Sequence, residues 1–419
     1  MGNPNWPRRS RALSRTKPES NPPIVTGKNK GVVEFQNMLR DRLQPLDLEQ
    51  VRVYPLAQRQ SLSSLEKLLA GAEVPRPCPS PLLSLVEECA RRMRAARERQ
   101  ASVILLYGAH LVKNGALRLV NSLIDAGWLT HAATNGAGSI HDWELSFLGR
   151  TEESVRKNVA TGTFGTWDET GRSVQLALLA GALRAEGYGR SLGRFIAEDG
   201  VTLPAPESLT AALRDEPSHP LAPAQAELLQ AMLKWRLPAG RLEVKHPWKE
   251  TSILAQAFQR NLPFTVHPGI GYDIISTHPM FNGAAIGRAA AIDFRLIGRS
   301  VDGLDGGVVL SIGSAIMAPQ VFEKGLSCVN NLRLQAGRRV VLDHTIYVVD
   351  IQDGGNWDWS RGEPPKDNPA YYLRFCKSFS RMGGTMRYVQ CDNVAFLQHL
   401  SAALRQTAGS MRPLETAAG

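Results

Sequence analysis

The sequence predicts an open, mostly parallel, doubly wound α/β sheet with helices on both faces. Two observations carry that prediction. Short apolar runs without polar alternation, such as Ser102-Val-Ile-Leu-Leu-Tyr107, read as strands covered on both sides, as in a parallel sheet. Each run then enters a glycine-bearing loop and a stretch of helical periodicity, which is the order of βαβ units.

Residues 31–69 read as helix and connector, with VVEFQNMLRDRL able to form one amphipathic face, and a second helix is expected at 81–99, where the charged end ECARRMRAARERQ forms a solvated face. The strand 102–107 runs into the loop 108–115 and a helix carrying Ala116, Leu119, Val120 and Leu123 on one face, with Gly127 placed to stop it. A second strand, 129–134, enters Asn135-Gly-Ala-Gly138 and a helix beginning near Asp142. Residues 169–214 read as Ala/Leu-rich helix, and the proline-rich 204–223 as a surface excursion. The alternation then resumes, with strands at 242–245, 264–266, 308–312, 346–351 and 387–391 and helices at 283–299, 319–329 and 393–405.

Composition narrows the function classes. With 43% hydrophobic and 21% charged residues among 419, the chain has the make-up of a globular protein with a large core. No apolar run approaches the roughly 18 residues of a membrane span, and the N-terminus lacks a secretory apolar core, so no membrane partner and a cytoplasmic location are expected. The five cysteines are far apart and lack CxxC spacing, which argues against a disulfide framework or structural zinc. The formal charge of +10 suggests nucleic acid, but residues 1–35 hold seven basic residues against two acidic ones. Half of the surplus therefore sits in a segment expected to be a disordered tail. The rest, 36–419, reads as a single domain with no basic helix for nucleic acid.

In such sheets ligands bind beyond the carboxyl ends of the strands. The loops found there supply a candidate nucleotide-binding set: Gly108, His110, Asn114 and Gly115; Asn135, Gly136, Gly138 and Asp142; Gly313 and Ser314. Glycines let backbone N–H groups approach a pyrophosphate, and a following helix N-terminus adds positive potential, although none of the loops is a G-x-G-x-x-G fingerprint. His141-Asp142 has the composition of an acid/base pair, but adjacent residues do not usually face one point. His267, Asp273 and His278 could be drawn as a metal site; ordinary turn or core histidines are commoner, and no metal is expected. The densest polar and aromatic stretch, 350–377, offers Asp353, Trp357, Asp358, Trp359, Glu363 and Tyr371 as a cation site of carboxylates and ring faces.

Taken in order, these segments resemble the deoxyhypusine synthase family. The loops 108–115 and 135–142 occupy the places of its first two strand-following loops, Ile312-Gly-Ser-Ala-Ile-Met317 resembles its Gly-Gly-Gly loop, and Asp353-Gly-Gly-Asn-Trp-Asp-Trp-Ser360 resembles its Asp-Gly-Ser-Asp-Ser-Gly segment. The similarity runs from about 102 to 375 and is weak from about 150 to 240. The block GAHLVKNG followed by NGAGSIHDWE is also similar to the NAD-binding region of ornithine cyclodeaminase-type enzymes. The resemblance implies NAD as cofactor, a homotetramer, and chemistry in which spermidine is oxidised and its aminobutyl group held as an imine on a lysine before transfer.

The departures fall on the covalent step. Arg374 stands where that lysine should be, and an arginine stays protonated; Lys377 is one helical turn on. Asn368 falls at the family's carboxylate before the lysine helix, Ala318 or Pro319 at its histidine, and Pro268 at an aspartate of the cofactor loop, while Gly269 and Asp273 are kept. The expectation is therefore an NAD-dependent enzyme that transiently oxidises a small amine, polyamine or basic amino acid without the usual lysine-bound imine. His141, Asp273, Arg374 and Lys377 are its catalytic candidates. Aminobutyl transfer through Lys377 and a non-catalytic tetrameric scaffold stand as alternatives.

Overall fold

The computed structural model of the protein describes residues 43–406. The chain divides into two units, Met1–Asp47 and Leu48–Gly419, and the second holds the whole sheet. The expected basic tail and all but the last residue of the amphipathic stretch 32–43 lie outside the described residues.

Six strands form the central sheet: β1 (Val103–Tyr107), β2 (His131–Asn135), β3 (Phe264–His267), β4 (Gly307–Ile312), β5 (His344–Asp350) and β6 (Thr385–Gln390). Their spatial order is β6-β5-β4-β1-β2-β3, and every pairing is parallel. This is the doubly wound order in which the chain builds outward from β1 in one direction and then returns to build outward in the other. The fold class read from the apolar runs is the one observed.

The lack of polar alternation follows from the two cores. In β1, Val103, Leu105 and Tyr107 point into one apolar cluster, while Ile104 and Leu106 point into the other. Helices Ser80–Glu98 and Asn393–Gln406 supply Val86, Met93, Val394 and Leu397 to the first cluster. Helices Gly283–Asp302 and Met317–Gln335 supply Ile297, Val301, Phe322 and Leu326 to the second. A polar residue on either face of β1 would be buried without water, so both registers must be apolar.

Two stretches differ from expectation. The strand expected at 242–245 belongs to a separate antiparallel ribbon, Gly240–Glu243 paired with Gly200–Leu203. Arg241 and Glu243 are exposed there, which no interior strand of a parallel sheet tolerates. The helical stretch 169–214 is broken into Asp168–Ala182, Tyr188–Ala197 and Pro206–Asp215, the last lying in the expected surface excursion. The breaks fall at left-handed residues, Ala185 with φ 53° and Asp199-Gly200 with φ 55° and 116°. Among the described residues no helix is long and apolar enough to cross a membrane.

Candidate functional site

β1 and β4 are the neighbours at which the winding reverses, and their carboxyl ends open into a cleft of about 570 Å³. Gly108, His110 and Asn114 follow β1 into its wall, Asn135 ends β2, residues 313–317 follow β4, Asp350 ends β5 and Gln352 follows it. The two central strands leave the sheet in backbone contact: a Cβ on Gly108 would lie 2.2 Å from the Gly313 carbonyl oxygen. Gly313 itself is left-handed, with φ 58°.

Two long helices begin at the cleft wall. Ser314 Oγ accepts the Ala318 N–H at 3.2 Å, in the first turn of Met317–Gln335. Asp392 accepts the N–H groups of Val394 and Ala395 at 3.0 and 2.9 Å, at the start of Asn393–Gln406. Asn114 Nδ2 donates to Asn393 Oδ1 at 3.0 Å and ties the two sides together. Among the described residues lining the cleft there is no lysine or arginine, and Asp350 and Asp392 add carboxylates, so its electropositive features are limited to helix ends and backbone N–H groups.

Other residues expected in this set are placed elsewhere. Gly115, with φ 86°, makes room for the Leu68 carbonyl of helix Leu65–Glu73. Gly136 is covered by the Asp273 carboxylate, and the Gly138 N–H is taken by the Asn135 side chain at 2.9 Å. Asp142 turns away from the cleft and is fully buried. Its oxygens accept the N–H groups of Ile253 and Leu254 at 2.9 and 3.2 Å and the Ser252 hydroxyl at 2.6 Å, capping helix Ile253–Gln259. Burial pushes its pKa up to about 6 although these hydrogen bonds oppose the rise. Asp142 therefore holds a helix in place; it lines neither the cleft nor the pocket that contains His141, and its hydrogen bonds go to residues 252–254.

His141 lies in a second, polar pocket of about 260 Å³ with Arg59, Lys113, Glu144, Glu152, Glu153 and Asp273. The two spaces flank the same structural pieces: Asn135 lines the cleft and Ala137 the pocket, and Asn114 lines the cleft and Lys113 the pocket. His141 Nδ1 is 2.7 Å from Thr151 Oγ1, whose hydroxyl donates to Glu144 Oε2 at 2.6 Å. Arg59 grips the same carboxylate with two hydrogen bonds of 2.7 and 2.9 Å, and Thr170 adds a third donor at 3.1 Å. Thr151, Glu144 and Arg59 are at most 3% exposed, so this network works without water.

Burial lowers the pKa of His141; Glu144 and Glu152 pull it up, and Lys113 and Arg59 push it down. Asp273 is 5% exposed, and burial pushes it up to about 6 against the Gly269 N–H, which its Oδ2 accepts at 2.8 Å. Lys113 is paired with Glu152 at 2.6 Å. Sequence reasoning missed Arg59, Glu144, Thr151 and Thr170. One signal was available, since His141 and Glu144 share a helix face at i and i+3.

The aromatic stretch does not form an open cation site. Trp359 is buried in the second core, and Trp357 donates to the Gly362 carbonyl at 2.9 Å with the Arg361 guanidinium over its ring. Asp353 and Asp358 accept the N–H groups of Gly355 and Ser360, so their carboxylates shape turns. Glu363 pairs with Arg381 and, at 3.8 Å, with Lys377, whose Nζ sits 3.3 Å from the Tyr371 ring centre. The cation received by carboxylate and ring is the chain's own lysine. Arg374 is exposed at the start of helix Arg374–Ser380, and neither it nor Lys377 lines the cleft or the pocket. The histidines weighed as metal ligands are also engaged, His267 with Thr265 at 3.0 Å and His278 with Asp168 at 3.3 Å. Among the described residues no group of three His, Cys, Asp or Glu is placed to hold a metal.

No protein-family model matches the chain, and no curated protein matches it. Solved structures similar to it include apo ArgZ, an arginine dihydrolase from the ornithine-ammonia cycle in cyanobacteria, at 14% identity and TM-score 0.37, covering 79% of this chain and 34% of that one. AgrE in ternary complex with ornithine and NAD+ aligns at 12% identity and TM-score 0.40, covering 80% and 35%. A putative deoxyhypusine synthase from Entamoeba histolytica aligns at 10% identity and TM-score 0.34, covering 85% and 97%. The chain spans about a third of the length of the ArgZ and AgrE chains. None of these alignments assigns a role to a residue of this chain.

Proposed function

We propose that the protein is an NAD-dependent enzyme that transiently oxidises a small amine, polyamine or basic amino acid to an imine, without a lysine-bound intermediate. The observation that carries this reading is the cleft at the reversal of the sheet, where the glycine exits of β1 and β4 touch. The residues present fit a dinucleotide. The volume lies in the usual range of about 300–1,000 Å³ for ligand sites. The Gly108 and Gly313 turns leave backbone free to approach a pyrophosphate, and helix Met317–Gln335 begins beside them.

When bound, the cofactor would supply a hydride acceptor; the chain's own part is to hold it and to place the amine. The amide side chains of Asn114 and Asn135, the Ser314 hydroxyl and Asp350 are the groups offered to its polar edges. A lysine-bound intermediate is left out because Lys377 packs against Glu363 and Tyr371 and lines neither the cleft nor the pocket. The family resemblance adds the expectation of a homotetramer and the composition that of a cytoplasmic location, which native mass spectrometry and cell fractionation test.

The experiment is calorimetric titration of the full chain with NAD, followed by absorbance at 340 nm with a panel of ornithine, arginine, agmatine and spermidine. Saturable NAD binding and reduced nicotinamide with one class of amine are the expected results. Absence of binding at millimolar NAD would overturn the reading.

A further inference from the structure

The pocket beside the cleft contains a histidine whose tautomer its neighbours dictate. Glu144 accepts hydrogen bonds from both arms of Arg59 and from two threonines, and as a carboxylate it has only acceptor positions to offer. The single Thr151 hydroxyl proton must therefore point at Glu144 Oε2, 2.6 Å away. Thr151 Oγ1 can then meet His141 Nδ1 only as an acceptor, so Nδ1 carries the ring proton across the 2.7 Å contact. The lone pair of the neutral ring is left on Nε2, and His141 lines the pocket.

The pocket's unbalanced charge is negative. Glu144 is matched by Arg59 and Glu152 by Lys113, which leaves Asp273 and Glu153 without a cation. Glu153 is occupied by neutral donors: the Gly165 N–H, the Trp167 indole and the Asn158 amide. Asp273 receives one backbone N–H on Oδ2, and among the described residues nothing is bonded to its Oδ1, though the side chain is almost wholly buried and lines the pocket. Ile140, Phe164 and Ile274 provide apolar wall between these groups, suited to a short alkyl chain.

We infer that this pocket binds the ammonium group of a small alkyl amine or basic amino acid against Asp273, and that His141 Nε2 is the base that takes a proton from it. Thr151 and Glu144 are positioning residues. In the step, an N–H bond of the ammonium breaks, an Nε2–H bond forms on the imidazole, and the electron pair stays on the substrate nitrogen. The amine is then neutral, as loss of hydride from its carbon requires. The inference deepens the NAD-dependent reading and rests on it for the oxidation of the deprotonated amine; the tautomer and the amine contact belong to the pocket alone. The groups facing His141 are Glu144 on its own helix, Lys113, Glu152, Arg59, Glu153, Tyr272 and Asp273.

The test has arms that need no turnover. In full-chain protein labelled with 15N-histidine, the His141 ring, identified by its loss in His141→Gln, should show a protonated Nδ1 and an unprotonated Nε2 at pH 7.5. Calorimetry with 1,4-diaminobutane and with ornithine should show binding that weakens about tenfold in Asp273→Asn, the conversion being ~1.4 kcal/mol. Thr151→Val should mix the tautomers, and Thr151→Ser should restore the wild-type one. If the panel yields an amine that reduces NAD, His141→Gln should lower kcat by roughly 10²–10⁴-fold, as for loss of a general base, with added imidazole restoring part of it in His141→Ala. A protonated Nε2 in the wild-type protein, or diamine and ornithine binding indifferent to Asp273→Asn, would overturn the inference. Failure of NAD to bind would overturn only the reading of the cleft.

Discussion

Replacing Gly108 with alanine tests the cleft most directly. The added Cβ would stand 2.2 Å from the Gly313 carbonyl oxygen, where ordinary contact begins at 3.4 Å, a deficit of roughly 1 Å. Rotamer change cannot relieve it, because both partners are backbone. Nor can the strands slip, since Tyr107 is registered against Ile312 and the Gly108 N–H donates to the Ile312 carbonyl. The exit of β4 has to move, and overpacking of this kind costs about 1–3 kcal/mol. NAD affinity should fall at least tenfold, ~1.4 kcal/mol, because the displaced turn is the proposed pyrophosphate cradle. The assay is urea unfolding followed by circular dichroism, with NAD titration of the same samples. Gly71→Ala is the control, since its Cβ meets nothing within 4 Å on helix Leu65–Glu73, and it should gain about 0.5–1 kcal/mol. If Gly108→Ala unfolds at the wild-type urea concentration while Gly71→Ala shifts as stated, the two strand exits are not in contact and the cradle does not exist.

Two further substitutions probe buried carboxylates. Asp142→Ala leaves the first two N–H groups of helix Ile253–Gln259 and the hydroxyl of its N-cap Ser252 without their partner, so unfolding should come about 1–3 kcal/mol sooner, with Asp142→Asn recovering part of the loss. Asp293 is completely buried, accepts the N–H groups of Gly189 and Val266, and is pushed by burial up to about 8. Its folded pKa lies above its unfolded one, so from about pH 4 to about pH 8 the unfolded chain releases this proton first, and the group's contribution falls as pH rises. The slope from one such proton is at most ~1.4 kcal/mol per pH unit. Asp293→Asn should flatten the pH dependence of the urea midpoint across that window; an unchanged slope would show that Asp293 ionises normally.

The sheet was legible in the sequence because a parallel strand buried on both faces has no solvent-facing register to disguise it. Val103, Ile104, Leu105 and Leu106 are all apolar for that reason, and so are 308–310 of β4 and 346–349 of β5. The ribbon at Gly240–Glu243 was harder to place, since a short strand carries no mark of which sheet it joins. Of the residues expected at the site from position alone, those at or just beyond strand ends, Gly108, His110, Asn114, Asn135, Gly313 and Ser314, line one cleft. What could not be read was direction. Asp142 follows His141 in sequence, yet on a helix the two side chains diverge by about 100°, and the carboxylate serves a helix that begins 111 residues later. Arg59, Thr151 and Thr170 meet Glu144 across separations that no local pattern encodes. The aromatic loop misled for a physical reason: a carboxylate beside a ring does call for a cation, and Lys377 answers it from within the chain.

Glu144 ties the proton position on His141 to the order in which the chain assembles. Its acceptor sites are filled from three separate segments: Arg59 precedes the sheet altogether, Thr151 lies in a short antiparallel pairing with Ser63, and Thr170 lies in the first turn of a later helix. Until the segment around residue 59 docks, the carboxylate has lost its bidentate partner, and the hydroxyl between it and the imidazole is free to turn. On the inference drawn above, the Nδ1-protonated form of His141 is then a property of the completed fold and disappears with partial opening. Amide hydrogen exchange at 56–64 should therefore report the same opening free energy as the loss of the Nδ1-protonated ring, which would make the docking of this segment a gate on the proposed proton transfer as well as a contribution to stability.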